Sequence, residues 1–510
     1  MDILAFALYF VTMIAIGVFF FFKSKAVTEK DYFLGGRAMG PYVTAMSAQA
    51  SDMSAWLLMG LPGSILAFGF GQAWIGIGLA IGTAANWILV AKRLRKFSKA
   101  SGDAITLPQY LSNRFASKSH AVSIICAVVF LVCFTIYVAS AFVAGADVFT
   151  TLVPTLSRSD AMLIFAAIVV LYTFLGGFSA VCWTDFFQGL LMIAALLIVP
   201  IVIGFTRTLD PEALRTVYTG PKGEEFKFVA DFFSASWKDI VSGLGWGLGY
   251  FGMPHIIVRF MAIKKPSMVK KSATVAIIWV VLSLAATIVI AYLGRMFVYS
   301  DGVDLSAKLL AEGKQSLIFV ELARDVFPAF IAGLLLAAII AASMSTADSQ
   351  LLVAASSFSS DLYKPLVRKN ASNKEMLWVS RIVVLVIAVV AFFIASSKGK
   401  AAQAIMDLVS NAWGIFGAAF GPAVLLSLFW KRFTYKGAVT GIVVGAVVDM
   451  AWLWLPIGGA TLTASTGIYE IIPGFILGAV AAVVVTLLDK KPSQEVEAIY
   501  ARATDNSIDD

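Results

Sequence analysis

Runs of about 20 apolar residues recur along this chain at short, even intervals, and each is long enough to cross the roughly 30 Å hydrocarbon core of a bilayer as one helix. Scanning at that length gives thirteen runs, at 2–22, 40–68, 70–91, 120–150, 160–178, 186–206, 238–262, 272–297, 326–355, 376–397, 402–428, 437–455 and 469–488. Of the 510 residues, 60% are hydrophobic and 14% are charged, against about 25% charged in a soluble domain. The expected fold is therefore an all-α polytopic membrane protein with 13 transmembrane helices. Cys126, Cys133 and Cys182 lie in or beside apolar runs, in neither a disulfide framework nor a metal-ligand spacing. The first run has no basic segment ahead of it, so it reads as a retained span rather than a cleaved signal.

Basic residues orient the spans. With residue 1 outside and the runs alternating, 27 of the 39 Lys and Arg residues fall on the inside, among them Lys23, Lys25, Arg37, Arg93, Arg95, Arg114, Arg259 and Lys431. This is the positive-inside pattern of a plasma-membrane protein, and it puts the N-terminus outside and the C-terminus inside. The net charge of +8 is then topology and a weak attraction to anionic lipid, not a sign of a nucleic-acid partner.

Several chemistries are missing. No GxxxxGK[ST] is present to bind ATP, no HExxH to hold a catalytic zinc and no GxSxG to present a nucleophile. The reading is not an enzyme, and no cofactor is expected.

Charged residues inside spans are costly and mark function by default. Asp52 sits in SAQASDMSAWLLMGLPGS (47–64), where small and hydroxyl residues replace bulky aliphatics. Such a run can unwind and expose the carbonyls of Ala50 and Met53 and the hydroxyl of Ser54, hard oxygen ligands for a cation such as Na⁺. The alternative is that Asp52 pairs with an arginine or caps a half-helix. A second interruption lies in VSGLGWGLGYFGMPHIIVRFM (241–261), where five glycines and Pro254 argue against one continuous helix. Trp246, Tyr250 and Pro254 recur every fourth residue and would share a face able to hold a small ligand, unless the rings only pack or form an interfacial belt.

In AAIIAASMSTADSQLL (337–352), Ser343, Ser345, Thr346, Asp348 and Ser349 exceed what helix-to-helix glue requires. Ser345 and Thr346, with the carbonyl of Ala342, would complete an oxygen cage if this helix faced Asp52. Asp185, in GGFSAVCWTDFFQG (176–189), reads best as a helix N-cap. The two breaks fall in the second and seventh runs, the sign of a five-plus-five inverted repeat with a site at the membrane midplane, and so of a secondary transporter.

At these residues, and over nearly the whole chain, the sequence resembles the sodium:solute symporters, above all their proline-transporting members. The matching stretches include YFLGGRAMGPYVTAMSAQASDMSAWLLMGLPGS (32–64), LYTFLGGFSAVCWTD (171–185), GWGLGYFGMPHIIVRFMA (245–262), AASMSTADSQLLVAASS (341–357) and YEIIPGFILG (469–478). The resemblance implies a LeuT-type core and import of L-proline coupled to Na⁺. It divides the chain into 1–39 (first helix and cytoplasmic loop), 40–428 (the core, spans 2–11), 429–489 (two further spans) and 490–510 (a cytoplasmic tail).

Carried onto this chain, the resemblance implies a Na⁺ site from the carbonyls of Ala50, Met53 and Ala342 and the hydroxyls of Ser345 and Thr346, with Asp52 in support. It implies a proline pocket with Ser54, Tyr137, Trp246, Tyr250 and Pro254, and a second cation site at Asp185, Ser345, Asp348 and Ser349. Two positions depart from the proline-transporter pattern: Ala55 replaces a glycine, and Met253 replaces the glutamine of GQPH. The rival readings are a Na⁺ symporter of another small amino acid or monocarboxylate, and a channel or membrane sensor. A signalling domain would be expected of a sensor, and the tail after Lys491 is about 20 residues.

Overall fold

A computed structural model describes residues 1–24, 28–175, 177–397 and 404–505. Lys25, Gly176, the first two residues of the 402–428 run and the last five of the tail lie outside the described residues. Among the described residues, ten helices are long and apolar enough to cross a membrane.

The helices that build the transport region, in chain order, are α1 (Asp2–Ser24), α2 (Pro41–Met53), α3 (Gly60–Phe68), α4 (Phe70–Ala85), α5 (Ala121–Leu152), α6 (Arg158–Leu175) and α7 (Phe178–Thr206). They continue with α8 (Trp237–Gly245), α9 (Pro254–Ala262), α10 (Val269–Arg295), α11 (Ala329–Ser356), α12 (Asn373–Ser397), α13 (Ala404–Phe429), α14 (Tyr435–Trp454) and α15 (Ile471–Leu488). A short helix, α16 (Gln494–Thr504), follows and packs on Lys92–Ala100.

Both expected interruptions are present. The 40–68 run is two helices, α2 and α3, separated at Ser54, which holds φ +48°. The 238–262 run is α8, a 3₁₀ stretch Trp246–Phe251, and α9 with Pro254 in its first turn. Glycine is needed there for a second reason. A Cβ at Gly243 would lie 2.6 Å from Trp74 Cβ, so the broken helix lies against α4 backbone to backbone.

The packing of the core repeats itself. α7 packs on α2 as α13 packs on the 3₁₀ stretch, α10 on α2 and α3 as α4 on α8 and that stretch, and α7 on α11 as α13 on α5. Exchanging α2–α7 with α8–α13 therefore preserves the neighbours. α13 is largely buried along its length, whereas α12 turns Ile382, Leu385, Val386, Val389 and Phe393 outward, as a lipid-facing helix must.

Two expectations need correction. The sixth run begins at Phe178, not 186, with Gly177 as its N-cap, so Asp185 lies two turns inside α7 and caps nothing. Polar letters in GGFSAVCWTD mimic a loop, but Thr184 and Asp185 are buried within the helix bundle. Arg259 is likewise no loop charge. It sits within α9, is 1% exposed and meets Asp185.

Candidate functional site

A helix that stops inside a membrane leaves its last carbonyls without intrahelical donors, with the negative end of its dipole beside them. At the broken end of α2, side chains from three other helices serve those carbonyls. Ser345 Oγ of α11 donates to Ala50 O at 2.8 Å, His255 Nε2 of α9 to Ser51 O at 3.1 Å, and Tyr137 of α5 reaches Asp52 O at 3.5 Å.

The same Ser345 hydroxyl lies 3.1 Å from Ala342 O. Thr346 Oγ1, one residue on, is buried and has no hydrogen-bond partner. Ala50 O, Ala342 O and Ser345 Oγ thus meet at one point. They are the hard, neutral or partly charged oxygens that a small monovalent cation takes. Met53 ends α2 and lines the neighbouring cavity.

Asp52 is 3% exposed and its carboxylate faces the other break. Its Oδ2 accepts from Tyr250 of the 3₁₀ stretch at 2.6 Å. Neither alternative for Asp52, an arginine partner or a cap, is realised. Tyr250 is itself fixed by Asn86 Nδ2, which donates to its carbonyl at 3.0 Å.

Tyr137, Trp246 and Tyr250 line a small cavity of about 10 Å³ together with Asp52, Met53, Trp56, Leu79 and Trp413. That is room for about one water. Two of the expected pocket residues are not in its wall. Ser54 Oγ accepts from Trp56 N at 3.1 Å, and Pro254 opens α9 beside a second small cavity with Thr106, Phe130 and Val353. Ala55 follows Ser54 with an ordinary φ, so its methyl adds no backbone strain.

Contacts bridge the helices on either side of the cavity. Toward the face that carries residues 207–236, Trp56 stacks on Trp246 at 5.4 Å and Trp246 on Tyr469 at 5.0 Å, while Trp413 Nε1 donates to Trp246 O at 2.8 Å. Toward the opposite, basic face, Lys264 N donates to Met39 O at 3.0 Å, Arg95 Nε to Ile263 O at 2.6 Å and Arg37 Nη2 to Ala104 O at 2.8 Å. Asp103 holds Arg37 at 2.8 Å and also contacts Lys30. Partial burial pushes the Asp103 carboxyl up, but the Lys30 hydrogen bond and the Arg37 charge outweigh it and hold it below the usual aspartate range.

The remaining expected residues form a separate cluster on the basic side. Arg259 lies 3.1 Å from Asp185 Oδ2, donates from Nε to Ser47 Oγ at 3.1 Å and also donates to Ser349 Oγ. Ser47 Oγ donates to the same Asp185 oxygen at 2.7 Å, and Ser349 lies against Asp348. Asp185 Oδ1 and Asp348 Oδ2 have no partner. Asp348 and Ser349 therefore sit with Asp185, whereas Ser345 turns toward Ala50.

Arg259, Ser47, His255, Trp56 and Trp413 escaped the sequence reading. The one signal for the first four is position, within an interrupted run; Trp413 lies in an unbroken run and carries none.

A polytopic helical protein with two broken helices, opposed oxygens at one break and a small aromatic-lined cavity between them is a membrane transporter, not an enzyme. The sequence profile of the sodium:solute symporter family matches residues 32–445, and the chain belongs to that family. It is 42% identical to the sodium/proline symporter of Escherichia coli (strain K12) over 509 residues, covering 98% of this chain and 96% of that one. It is 42% identical to the high-affinity proline transporter PutP of Bacillus subtilis (strain 168) over 492 residues, 95% of this chain and 97% of that one. Among solved structures, a Na⁺-coupled sialic acid symporter in a substrate-bound outward-open state matches with a TM-score of 0.74 at 19% identity, covering 97% of this chain and 98% of that one. At that identity the match shows a shared fold.

Proposed function

We propose that this chain imports L-proline across the cytoplasmic membrane by symport with Na⁺. The observation that carries this is the bond from Ser345 on α11 to the Ala50 carbonyl at the broken end of α2. It brings together oxygens from two helices that a sodium ion would join. The names of the relatives support the solute.

In this reading thirteen spans cross the membrane. They are the ten long helices, α6, and the interrupted pairs α2/α3 and α8/α9, with α2–α7 and α8–α13 as inverted repeats. The N-terminus is outside, the C-terminus inside, and the basic face is cytoplasmic. The transport core is 40–428, flanked by 1–39, 429–489 and the tail 490–510.

Na⁺ takes the carbonyls of Ala50, Met53 and Ala342 and the hydroxyls of Ser345 and Thr346, displacing the Ser345 hydrogen bonds. Asp52 stays outside this cage and supplies charge nearby. Proline enters between Tyr137, Trp246 and Tyr250 once the aromatic stack parts, and Ser54 and Pro254 join the widened pocket. Its ammonium faces Asp52 and the rings, and its pyrrolidine faces Leu79 and tryptophan. Closure of the stack then precedes release of the contacts at the basic face.

One Na⁺ moving down about 100 mV supplies about 2.3 kcal/mol, and a tenfold gradient adds about 1.4 kcal/mol. Together they support accumulation of several hundredfold. A second cation at Asp185, Asp348, Ser349 and Ser345 requires Arg259 to leave Asp185. A Na⁺ to proline flux ratio of one argues against that second ion.

Equilibrium binding of labelled L-proline to the purified protein tests the assignment. Binding is expected in Na⁺, competed by unlabelled proline and weak in K⁺. Equal binding in the two salts contradicts it.

A further inference from the structure

Away from the broken helices, α13, α14 and the start of α15 enclose two carboxyl groups that the transport reading does not use. Asp449 on α14 is fully buried, and neither of its carboxylate oxygens meets a donor. Glu470, at the N-cap of α15, is 2% exposed and accepts from Thr463 Oγ1 at 3.1 Å.

Both face the same gap beside Gly414 of α13. A Cβ there would lie 3.0 Å from Asp449 Oδ2 and 3.4 Å from Glu470 Cγ, so the glycine leaves the space that the carboxyls front. The other titratable groups that face the pair are Cys133 of α5 and Tyr469. Asp407 lies two turns along α13, and Lys238 of α8 rests on Gly467 at the rim. Among the described residues, neither Asp449 nor Glu470 has a salt-bridge partner.

An unpaired carboxylate in apolar surroundings is more stable neutralised, and two carboxyls that front one buried gap cannot both ionise cheaply. The sparse donor set, two carboxyls and one threonine, suits a proton better than a metal ion that needs five or six oxygens. Tyr469 links the pair to the seal: it precedes Glu470, stacks on Trp246 at 5.0 Å and donates to Ser410 O at 2.7 Å.

We propose that Asp449 and Glu470 form a proton-binding site, holding one proton on the pair while the stack of Trp56, Trp246 and Tyr469 is closed and releasing it when that stack opens to water. The site rests on no assumption about the transported solute.

Infrared difference spectra of the full chain in proteoliposomes, in H₂O and D₂O at neutral pH, test the bound proton. The expected result is a deuterium-sensitive band of a neutral carboxyl group that is lost in Asp449→Asn and shifted in Glu470→Gln. A spectrum unchanged in both variants overturns the site. Acrylamide quenching of tryptophan fluorescence tests the link to the seal: quenching rises with pH in the wild type and stays flat in Asp449→Asn. Wild-type quenching that does not change with pH overturns the link.

Discussion

The Tyr250 hydroxyl donates to Asp52 Oδ2 across 2.6 Å, and this bond ties one broken helix to the other. Asp52 belongs to α2, whose exposed carbonyls face Ser345, and Tyr250 belongs to the 3₁₀ stretch that walls the cavity. In the proposed mechanism this bond would couple occupancy of the two halves of the site.

Asp52→Asn keeps an acceptor for Tyr250 but removes the charge beside the oxygen cage. The half-saturating Na⁺ concentration for uptake should rise roughly 10- to 100-fold, the range for residues that support a metal site from outside its ligand shell. Proline affinity at saturating Na⁺ should change far less. Equal effects on both would separate Asp52 from the ion.

Ser345→Ala and Thr346→Ala each delete one oxygen of the cage, whereas Ser343, which bonds only Ile339 O in its own helix, is the control. Loss of a charge-assisted contact is worth about 1.5–3 kcal/mol, so each cage variant should weaken Na⁺ dependence by about tenfold or more. Ser343→Ala should leave initial uptake rates against Na⁺ concentration nearly unchanged. A Ser343→Ala effect as large as the other two would refute the cage.

How much of this was legible in the sequence follows from what each signal reports. The two breaks were readable because glycine, proline and hydroxyl residues disfavour a continuous lipid-facing helix wherever they cluster. Asp52 was readable because a carboxylate in an apolar run needs a reason. Its partner was not, since Tyr250 lies 198 positions away and nothing local records that distance. Arg259 was misread as a loop charge because counting basic residues near span ends cannot tell a charge in water from one turned inward to Asp185. The resemblance puts Ser54 and Pro254 in the proline pocket, but the small cavity between the breaks does not reach either.

The Arg259 and Asp185 pair is buried at 1% and 0% exposure. Removing one partner of such a pair typically costs about 3–5 kcal/mol because the other is left uncompensated. Asp185→Asn and Arg259→Gln should each lower thermal stability in detergent, and the double variant should lose less than the two losses added. Strict additivity would mean that the two side chains do not interact.

At the basic face, Asp103 has its carboxyl held below the ordinary aspartate value by Lys30 and Arg37. Its stabilising contribution is therefore complete above about pH 4 and is lost as pH falls through the lowered value. Asp103→Asn should melt below the wild type at pH 7, and the two melting curves should converge as the medium is acidified past pH 4. A constant gap down to the lowest pH tolerated would exclude Asp103 as the titrating group.

The central claim is that a sodium gradient moves proline through this chain. The most direct measurement is uptake of radiolabelled L-proline into proteoliposomes holding the purified protein, with an inward Na⁺ gradient set against K⁺ and against a pH gradient alone. Transient accumulation above equilibrium with Na⁺ only, abolished by collapsing that gradient, is the predicted result. Uptake that is the same in all three conditions, or absent with Na⁺, would contradict it.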